Sequence, residues 1–253
     1  MSFKIVIPAR YASSRLPGKP LLDIAGKPMI QHVYERAQES HASHVIIATD
    51  DQRIERVASQ FGADVCMTNA NHPSGTDRLA EVAALHGFAN DDIIINVQGD
   101  EPCLPATLIN QVADDLQLHT DADIATLYCR IEQEKYVFDP NVVKVVMNSQ
   151  GYALYFSRAP IPWMRDHFNK ESTLPPELPH YRHIGLYGYR ASFLKHYSEL
   201  TPCVLEQEES LEQLRALFYG KKIHLTAATI SSGHGVDTEQ DLIAVRELLA
   251  NIK

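Results

Sequence analysis

No two of the four cysteines stand in a C-x-x-C spacing, so the sequence offers neither a zinc ribbon nor a thioredoxin-like pair. Cys66, Cys103, Cys129 and Cys203 read as buried free thiols. Basic charge is scarce, with 23 Lys and Arg against 32 Asp and Glu and a formal charge of −9. That balance excludes a broad nucleic-acid or anionic-membrane surface, because both need a continuous basic footprint. Any anion must be held locally. No run approaches the roughly 18 apolar residues of a membrane span, and the IVI before Pro8 is too short for a secretory signal. A reducing cytoplasm is therefore the expected compartment. Nucleotide-binding glycine patterns are missing as well. There is no G-x-G-x-x-G, and in PGK and AGK the lysines Lys19 and Lys27 precede proline where a P-loop needs serine or threonine. The twelve histidines show no metal-ligand spacing, and no internal repeat or low-complexity tract is present.

What is present is an ordinary globular composition, 45% hydrophobic and 22% charged over 253 residues, enough for one α/β domain with a sizeable core. Short apolar runs alternate with helical patterns through the first half: FKIVIP, then 29–38, HVIIAT, then 52–60, ADVCMT, then 77–86, DDIIINVQGDEP, then 106–118, and ADIATLYC. This repetition predicts right-handed crossovers and a mainly parallel sheet, with ligands at the carboxyl ends of the strands. After about residue 131 the pattern changes to VVKVVMN, YALYFSR, a Pro-rich stretch over 160–179, HIGLYGYR, and helices. KKIHLTAAT and GVDTEQDLIAVRELLAN then return to the earlier style. The expectation is a single domain, 1–253, with a core of 1–130 and 220–253 and an inserted subdomain at 131–219.

The loop after the first strand carries R-x-x-S-x-R-L-P-G-K, with Arg10, Ser13, Ser14, Arg15, Gly18 and Lys19 inside ten positions. Gly18 permits positive φ or a close approach to a ligand, and the Arg fork and Lys point charge suit different oxygens of one polyphosphate. Pro17, Pro20 and Pro28 stiffen the segment, which favours a preorganised anion site over a solvated tail. In NVQGDEP an apolar strand ends at Gly99 and Asp100, placing a carboxylate where an oxygen-preferring cation such as Mg²⁺ bridges to phosphates. Asp237 in GVDTEQD is a second such carboxylate. Either aspartate alone also reads as a helix cap, Asp237 more strongly. Together, beside a polyphosphate loop, they favour a metal pair. HPSGTDR supplies Ser74, Gly75 and Arg78, which either hold a nucleobase or ribose or cap the next helix.

The set IPARYASSRLPGKPL, SGTDRLAEV, INVQGDEP, YALYFSRAPIPW, HIGLYGYR, LEQLR and GVDTEQDL resembles, in order and nearly end to end, the 3-deoxy-manno-octulosonate (KDO) cytidylyltransferase family. The resemblance implies a Rossmann-like nucleotidyltransferase fold, with an α+β insertion that binds the sugar and forms a homodimer. It implies the reaction CTP + KDO → CMP-KDO + pyrophosphate with Mg²⁺, serving lipopolysaccharide synthesis. By motif position it assigns Arg10, Ser13, Arg15 and Lys19 to the triphosphate, and Ser74, Arg78 and Gln98 to the neighbourhood of cytidine or the sugar. Asp100 and Asp237 take the metal, and Arg158, Arg165, His183, Tyr187, Glu212 and Gln213 take the sugar. Lys19, Asp100, Asp237 and Arg10 form the expected catalytic set.

Attack by an anionic sugar on an anionic α-phosphate requires cations around both the transferred group and the leaving pyrophosphate, which that set provides. Arg158 or Arg165 is the candidate for the sugar carboxylate. On a helical wheel Leu211, Leu214, Leu217 and Phe218 share one face, with Glu212 and Gln213 pointing away from it. CVLEQEESLEQLR carries more acid than the family pattern. Two other readings remain: a cytidylyltransferase for the 8-amino analogue of KDO or a sialic acid, and a nucleotide-binding regulator without catalysis.

Overall fold

A computed structural model describes residues 2–12, 16–168 and 178–250. Its first half follows the apolar periodicity closely. In order come β1 (Lys4–Ala9), the two-residue strands β2 (Asp23–Ile24) and β3 (Lys27–Pro28), α1 (Met29–Gln38), β4 (His44–Thr49), α2 (Gln52–Gln60), β5 (Asp64–Met67), α3 (Gly75–Leu85), β6 (Ile93–Asn96), α4 (Ala106–Leu118) and β7 (Ile124–Arg130). Thereafter come α5 (Glu134–Phe138), β8 (Lys144–Met147), β9 (Ala153–Ser157), β10 (Tyr181–Arg190), α6 (Ala191–Tyr197), α7 (Val204–Glu209), α8 (Gln213–Phe218), β11 (Ile223–Ala227) and α9 (Glu239–Ala250).

Nine of the eleven strands form one sheet whose main path runs β11-β7-β10-β6-β1-β4-β5, with β8 joining β10 and β9 joining β8, while β2 and β3 pair with each other as a separate two-stranded sheet. Alternation along β1 shows how both faces are covered. Ile5 and Ile7 pack with Val33 of α1, Ile54 of α2 and Val112 of α4, while Val6 packs on the other face with Leu79 of α3 and Phe193 of α6. Helix–sheet–helix layering around parallel strands is the Rossmann-like, mainly parallel α/β architecture expected. The chain winds from β1 out to β4 and β5, then returns to place β6 on the other side of β1. The crevice for a ligand lies at that reversal, outside the carboxyl ends of β1 and β6.

The expected insertion is not a unit apart. β10, at 181–190, lies inside the proposed 131–219 segment, yet it runs antiparallel between β6 and β7 in the middle of the sheet. Only β8 and β9 stand off the main path. Sequence order hid this because pairing between distant strands leaves no local signature, and HIGLYGYR reads the same at an edge or a centre. The ladder between β10 and β7 shifts register between Ile184 and Tyr187. Thr126 Oγ1 lies 3.0 and 2.9 Å from the carbonyl oxygens of Ile184 and Leu186, holding that bulge in place. A bulge re-aims side chains, here toward the crevice.

Gly99 lets the two central strand ends close up. A Cβ there would lie 2.8 Å from the Pro8 carbonyl oxygen. Gly99→Ala must therefore push β1 and the post-β6 loop apart. The expected cost is about 1–3 kcal/mol, read as a melting temperature lower by several degrees. An unchanged melting curve would show that this approach is not a constraint.

Candidate active site

At the mouth of the crevice the Lys19 ammonium lies 2.7 Å from Asp100 Oδ2 and 3.1 Å from Asp237 Oδ1. Lys19 is buried, and it begins a short 3-10 turn preceded by Gly18 at φ 68°. The Gly18 N–H donates to the Tyr11 carbonyl, and the Tyr11 ring is covered by Arg53. The described ends of the loop, at Tyr11 and Gly18, are thereby tied to each other. Val236 N–H donates to the Asp100 carbonyl at 2.8 Å, so the segments bearing the two aspartates are tied by their backbones.

Neither aspartate caps a helix. Pro105 occupies the N-cap of α4. At α9 the capping bonds run between Thr238 and Asp241: Asp241 N–H donates to Thr238 Oγ1, and Thr238 N–H donates to Asp241 Oδ2. The helix start in GVDTEQD is real, but its cap is one residue later than the sequence suggested.

The crevice has two lobes. One, about 580 Å³, is lined by Arg10, Lys19, Ser74, Gly99 and Asp100. The other, about 520 Å³, is lined by Thr76, Arg158, Tyr187, Tyr189, Tyr197 and Gln213 among others. Gly75, Gln98 and Glu212 line both, so the lobes are continuous. Glu212 stands at the waist, open to solvent through the crevice. It accepts from Thr76 Oγ1 at 3.0 Å, and enclosure by the surrounding chain raises its pKa. Within the second lobe three buried polar atoms lack a hydrogen-bond partner among the described residues: Asn96 Oδ1, Tyr197 Oη and Gln213 Nε2. Buried polar atoms without partners at a cavity wall mark positions for ligand groups.

Most of the expected residues converge here. Arg10 lines the first lobe, although one of its nitrogens donates to the carbonyls of His72 and Ser74 and so also straps two loops together. Ser74 is both a lining residue and the N-cap of α3, accepting from Asp77 N–H. Asp100, Asp237, Gln98, Tyr187, Glu212 and Gln213 all line the crevice. Arg158 does too. Its guanidinium donates to the carbonyls of Glu209, Pro140 and Ser210, which orient it without cancelling its charge. Ser13 and Arg15 lie outside the described residues.

Three expectations are corrected. Arg78 is fully buried, pointing from α3 to Thr68 and Asp50 beneath the ends of β4 and β5 rather than into the crevice. His183 lies inside the sheet, with Nε2 3.0 Å from Thr126 Oγ1 and its ring edge-on to Phe156. Burial, with Arg182 nearby, pushes its pKa down to about 3, and the neutral ring is a packing residue. Arg165 is exposed in a turn and lines neither lobe. The helical-wheel face also breaks at Phe218, which is 59% exposed while Leu211 and Leu214 are buried.

The acid-rich stretch before Glu212 has internal partners. Glu206 accepts from Arg215 Nε at 2.7 Å, and Arg215 in turn sits over the Tyr197 ring. Glu209 receives the Ser157 hydroxyl and the Arg158 N–H. Sequence reasoning missed Thr76, Asn96, Tyr189, Tyr197 and Glu101, which also line the second lobe. Tyr189 was detectable, being two residues from Tyr187 on the same strand face. Glu101, beside Asp100 and near Asp237, has its pKa raised to about 7, mainly by burial.

A family model described as cytidylyltransferase matches residues 4–223. A 3-deoxy-manno-octulosonate cytidylyltransferase of Nitrosococcus oceani is 56% identical, covering 98% of this chain and 97% of that protein. One of Hahella chejuensis is 57% identical over 98% of both. A solved structure, of a CMP:2-keto-3-deoxy-manno-octonic acid synthetase complexed with CTP, superposes with a TM-score of 0.89 at 44% identity over 100% of both chains.

The capping assignment separates two neighbouring residues. Thr238→Ala should lower stability in urea by about 0.5–2 kcal/mol, whereas Asp237→Asn should change it by less than about 0.5 kcal/mol. The reverse order would return Asp237 to a capping role.

Proposed function

From the chain's membership of the 3-deoxy-manno-octulosonate cytidylyltransferase family, we propose that it transfers CMP from CTP to the anomeric hydroxyl of KDO. The products are CMP-KDO and pyrophosphate, and the step activates KDO for lipopolysaccharide synthesis. The observation that carries this reading is the buried Lys19 ammonium between Asp100 and Asp237, at the junction of a charged lobe and a lobe with unpartnered polar groups.

The charged lobe suits the triphosphate. Lys19 and Arg10 present cations to its oxygens, and they stabilise the negative charge that accumulates on pyrophosphate as the α-phosphorus–oxygen bond breaks. Asp100 and Asp237 fit a hard divalent cation. Both are carboxylates, and they already converge on one positive nitrogen. They would hold Mg²⁺, which when bound supplies charge neutralisation to the phosphates. The second lobe suits the sugar. Arg158, fixed by carbonyls, is the better placed of the two arginines for the sugar carboxylate, and Tyr187, Tyr189 and Tyr197 wall the ring. Gln98 and Glu212, shared by both lobes, border the point where the two substrates meet.

A cytoplasmic homodimer is the form in which we expect the protein to work. Trp163, Phe138 and Tyr136 are exposed, and Trp163 and Phe138 both pack on Phe168, giving an aromatic surface of the kind enriched at interfaces. Among the described residues no helix is long and apolar enough to cross a membrane.

The function is tested by pyrophosphate release from CTP with KDO, the 8-amino analogue and a sialic acid. KDO should give the highest kcat/KM, and a preference for another sugar would move the assignment to that substrate. Asp100→Asn and Asp237→Asn should each lower turnover by about a hundredfold or more at nearly unchanged melting temperature. Full activity in either variant at ordinary Mg²⁺ would remove the two-aspartate site. Sedimentation at micromolar concentration should show twice the 28.4 kDa chain mass, and a monomer alone would refute the interface.

A further inference from the structure

At the end of the sheet away from the crevice, three metal-ligating side chains from three separate elements meet. His44 is the first residue of β4, Asp64 the first of β5, and His86 the C-cap of α3. The strands bring the first two together. Ile46 is in register with Asp64, and His44 lies two residues before Ile46, on the same face. Ile46 packs against Leu79, Val82 and Ala83 of α3, so this is the face on which α3 ends, delivering His86.

The geometry suits an ion. His44 Nε2 lies 2.6 Å from Asp64 Oδ2, and a ligand atom from each of the three residues falls within 4.8 Å of the others. Ligands about 2.1 Å from a tetrahedral Zn²⁺ stand about 3.4 Å apart, so a modest rotation of exposed side chains closes the set. The two imidazoles meet edge-on at 70°, with centroids 6.0 Å apart, which allows lone pairs in the two ring planes to point at a common centre.

A second cluster, Asp115, His119 and His224, fails this test. Its rings stack face to face at 3.5 Å and 18°, so their in-plane lone pairs run side by side. That cluster is instead an internal unit in which both rings meet the buried Asp115 carboxylate, His119 also bonding the Asp115 carbonyl.

Charge also favours a cation at the exposed cluster. His86 stands at the carboxyl end of an eleven-residue helix, where the helix dipole leaves partial negative charge. The nearby ammonium of Lys4, whose residue is in register with His44, is 2.8 Å from Asp92 and over the Phe88 ring, so its charge is met locally.

We propose that His44, Asp64 and His86 form a binding site for a divalent transition-metal ion of the Zn²⁺ class, with two imidazole nitrogens, one carboxylate oxygen and water completing the shell. Imidazole donors select such an ion over Mg²⁺, so this site and the Asp100–Asp237 pair take different metals. Binding replaces the hydrogen bond between His44 and Asp64. The His44 proton then resides on Nδ1, or leaves to water where the ring was doubly protonated. The ion staples β4 and the edge strand β5 to the carboxyl end of α3, whose other end carries Gly75 and Thr76 into the crevice.

The test uses the untagged, chelator-stripped full chain in saturating Mg²⁺, which occupies the aspartate pair. Titration with Co²⁺ should give saturable visible absorption bands of a low-coordinate N/O site at one ion per chain. Zn²⁺ should displace Co²⁺ and raise the melting temperature by several degrees. His44→Ala, Asp64→Ala and His86→Ala should each weaken binding about tenfold or more, and His119→Ala should not. No saturable Co²⁺ band in the unmodified chain at micromolar concentration overturns the proposal, as does equal affinity in all three variants. Should one variant fold poorly, the Co²⁺ spectrum of the unmodified chain and the remaining two variants decide.

Discussion

The crevice depends on one ammonium held between two carboxylates. Lys19, Asp100 and Asp237 come from segments 81 and 218 residues apart in sequence, and nothing local in the chain brings them together. Their meeting requires the β1 and β6 ends to be closely spaced, which Gly99 permits. It also requires the Val236–Asp100 backbone bond, and a helix start whose capping is done by Thr238 and Asp241. Two carboxylates and one ammonium leave a net negative charge at the mouth, in a chain already at −9. A triphosphate is more negative still. Binding it therefore demands added positive charge at that point, which is the physical reason for expecting a divalent cation beside Arg10 and Lys19.

The second lobe depends on a different constraint, the antiparallel strand β10 set between parallel neighbours. Its bulge at 184–187 exposes Gly185 to the cavity and places Tyr187 and Tyr189 along one wall, with ring centroids 5.9 Å apart. Phe193 stacks on Tyr189 and Tyr197 packs edge-on to Phe193, so α6 continues the wall. The buried Glu206–Arg215 pair then fixes the opposite side by seating a guanidinium on Tyr197. An ion pair at this depth contributes little net stability against an apolar alternative, but it specifies where an aromatic ring must stand.

The sequence made the elements legible where one face of a regular pattern is buried. HVIIAT and the helices at 29–38, 52–60 and 106–118 appear with the expected bounds, because two-residue and 3.6-residue periods report directly on burial. The convergence of Asp100 and Asp237 was legible for a topological reason, since a parallel sheet gathers strand ends at one edge. Side-chain direction was not legible. Arg78 and His183 carry chemistry suited to ligands, yet each points into the protein, and only the strand and helix registers against distant neighbours decide that. The central position of β10 was hidden for the same reason. The His44, Asp64 and His86 cluster is invisible to spacing rules, because its members are 20 and 22 residues apart on three elements.

The unpartnered atoms of the second lobe narrow what it is shaped to hold. Asn96 Oδ1 needs a donor, Gln213 Nε2 needs an acceptor, and Tyr197 Oη serves either way. A buried polar atom left unpaired costs about 1–3 kcal/mol, so a ligand that satisfies all three gains far more than one that merely fills the space. An apolar ligand meets none of these needs. A ligand hydroxyl both donates and accepts, and a ring bearing several hydroxyls can therefore meet donors and acceptors around one wall at once. With Arg158 oriented by carbonyls and retaining its charge, the same wall also rewards a carboxylate on that ring. A polyhydroxylated acid is the ligand class that leaves none of these groups unsatisfied, and in the proposed function the adjoining lobe sets a triphosphate against it.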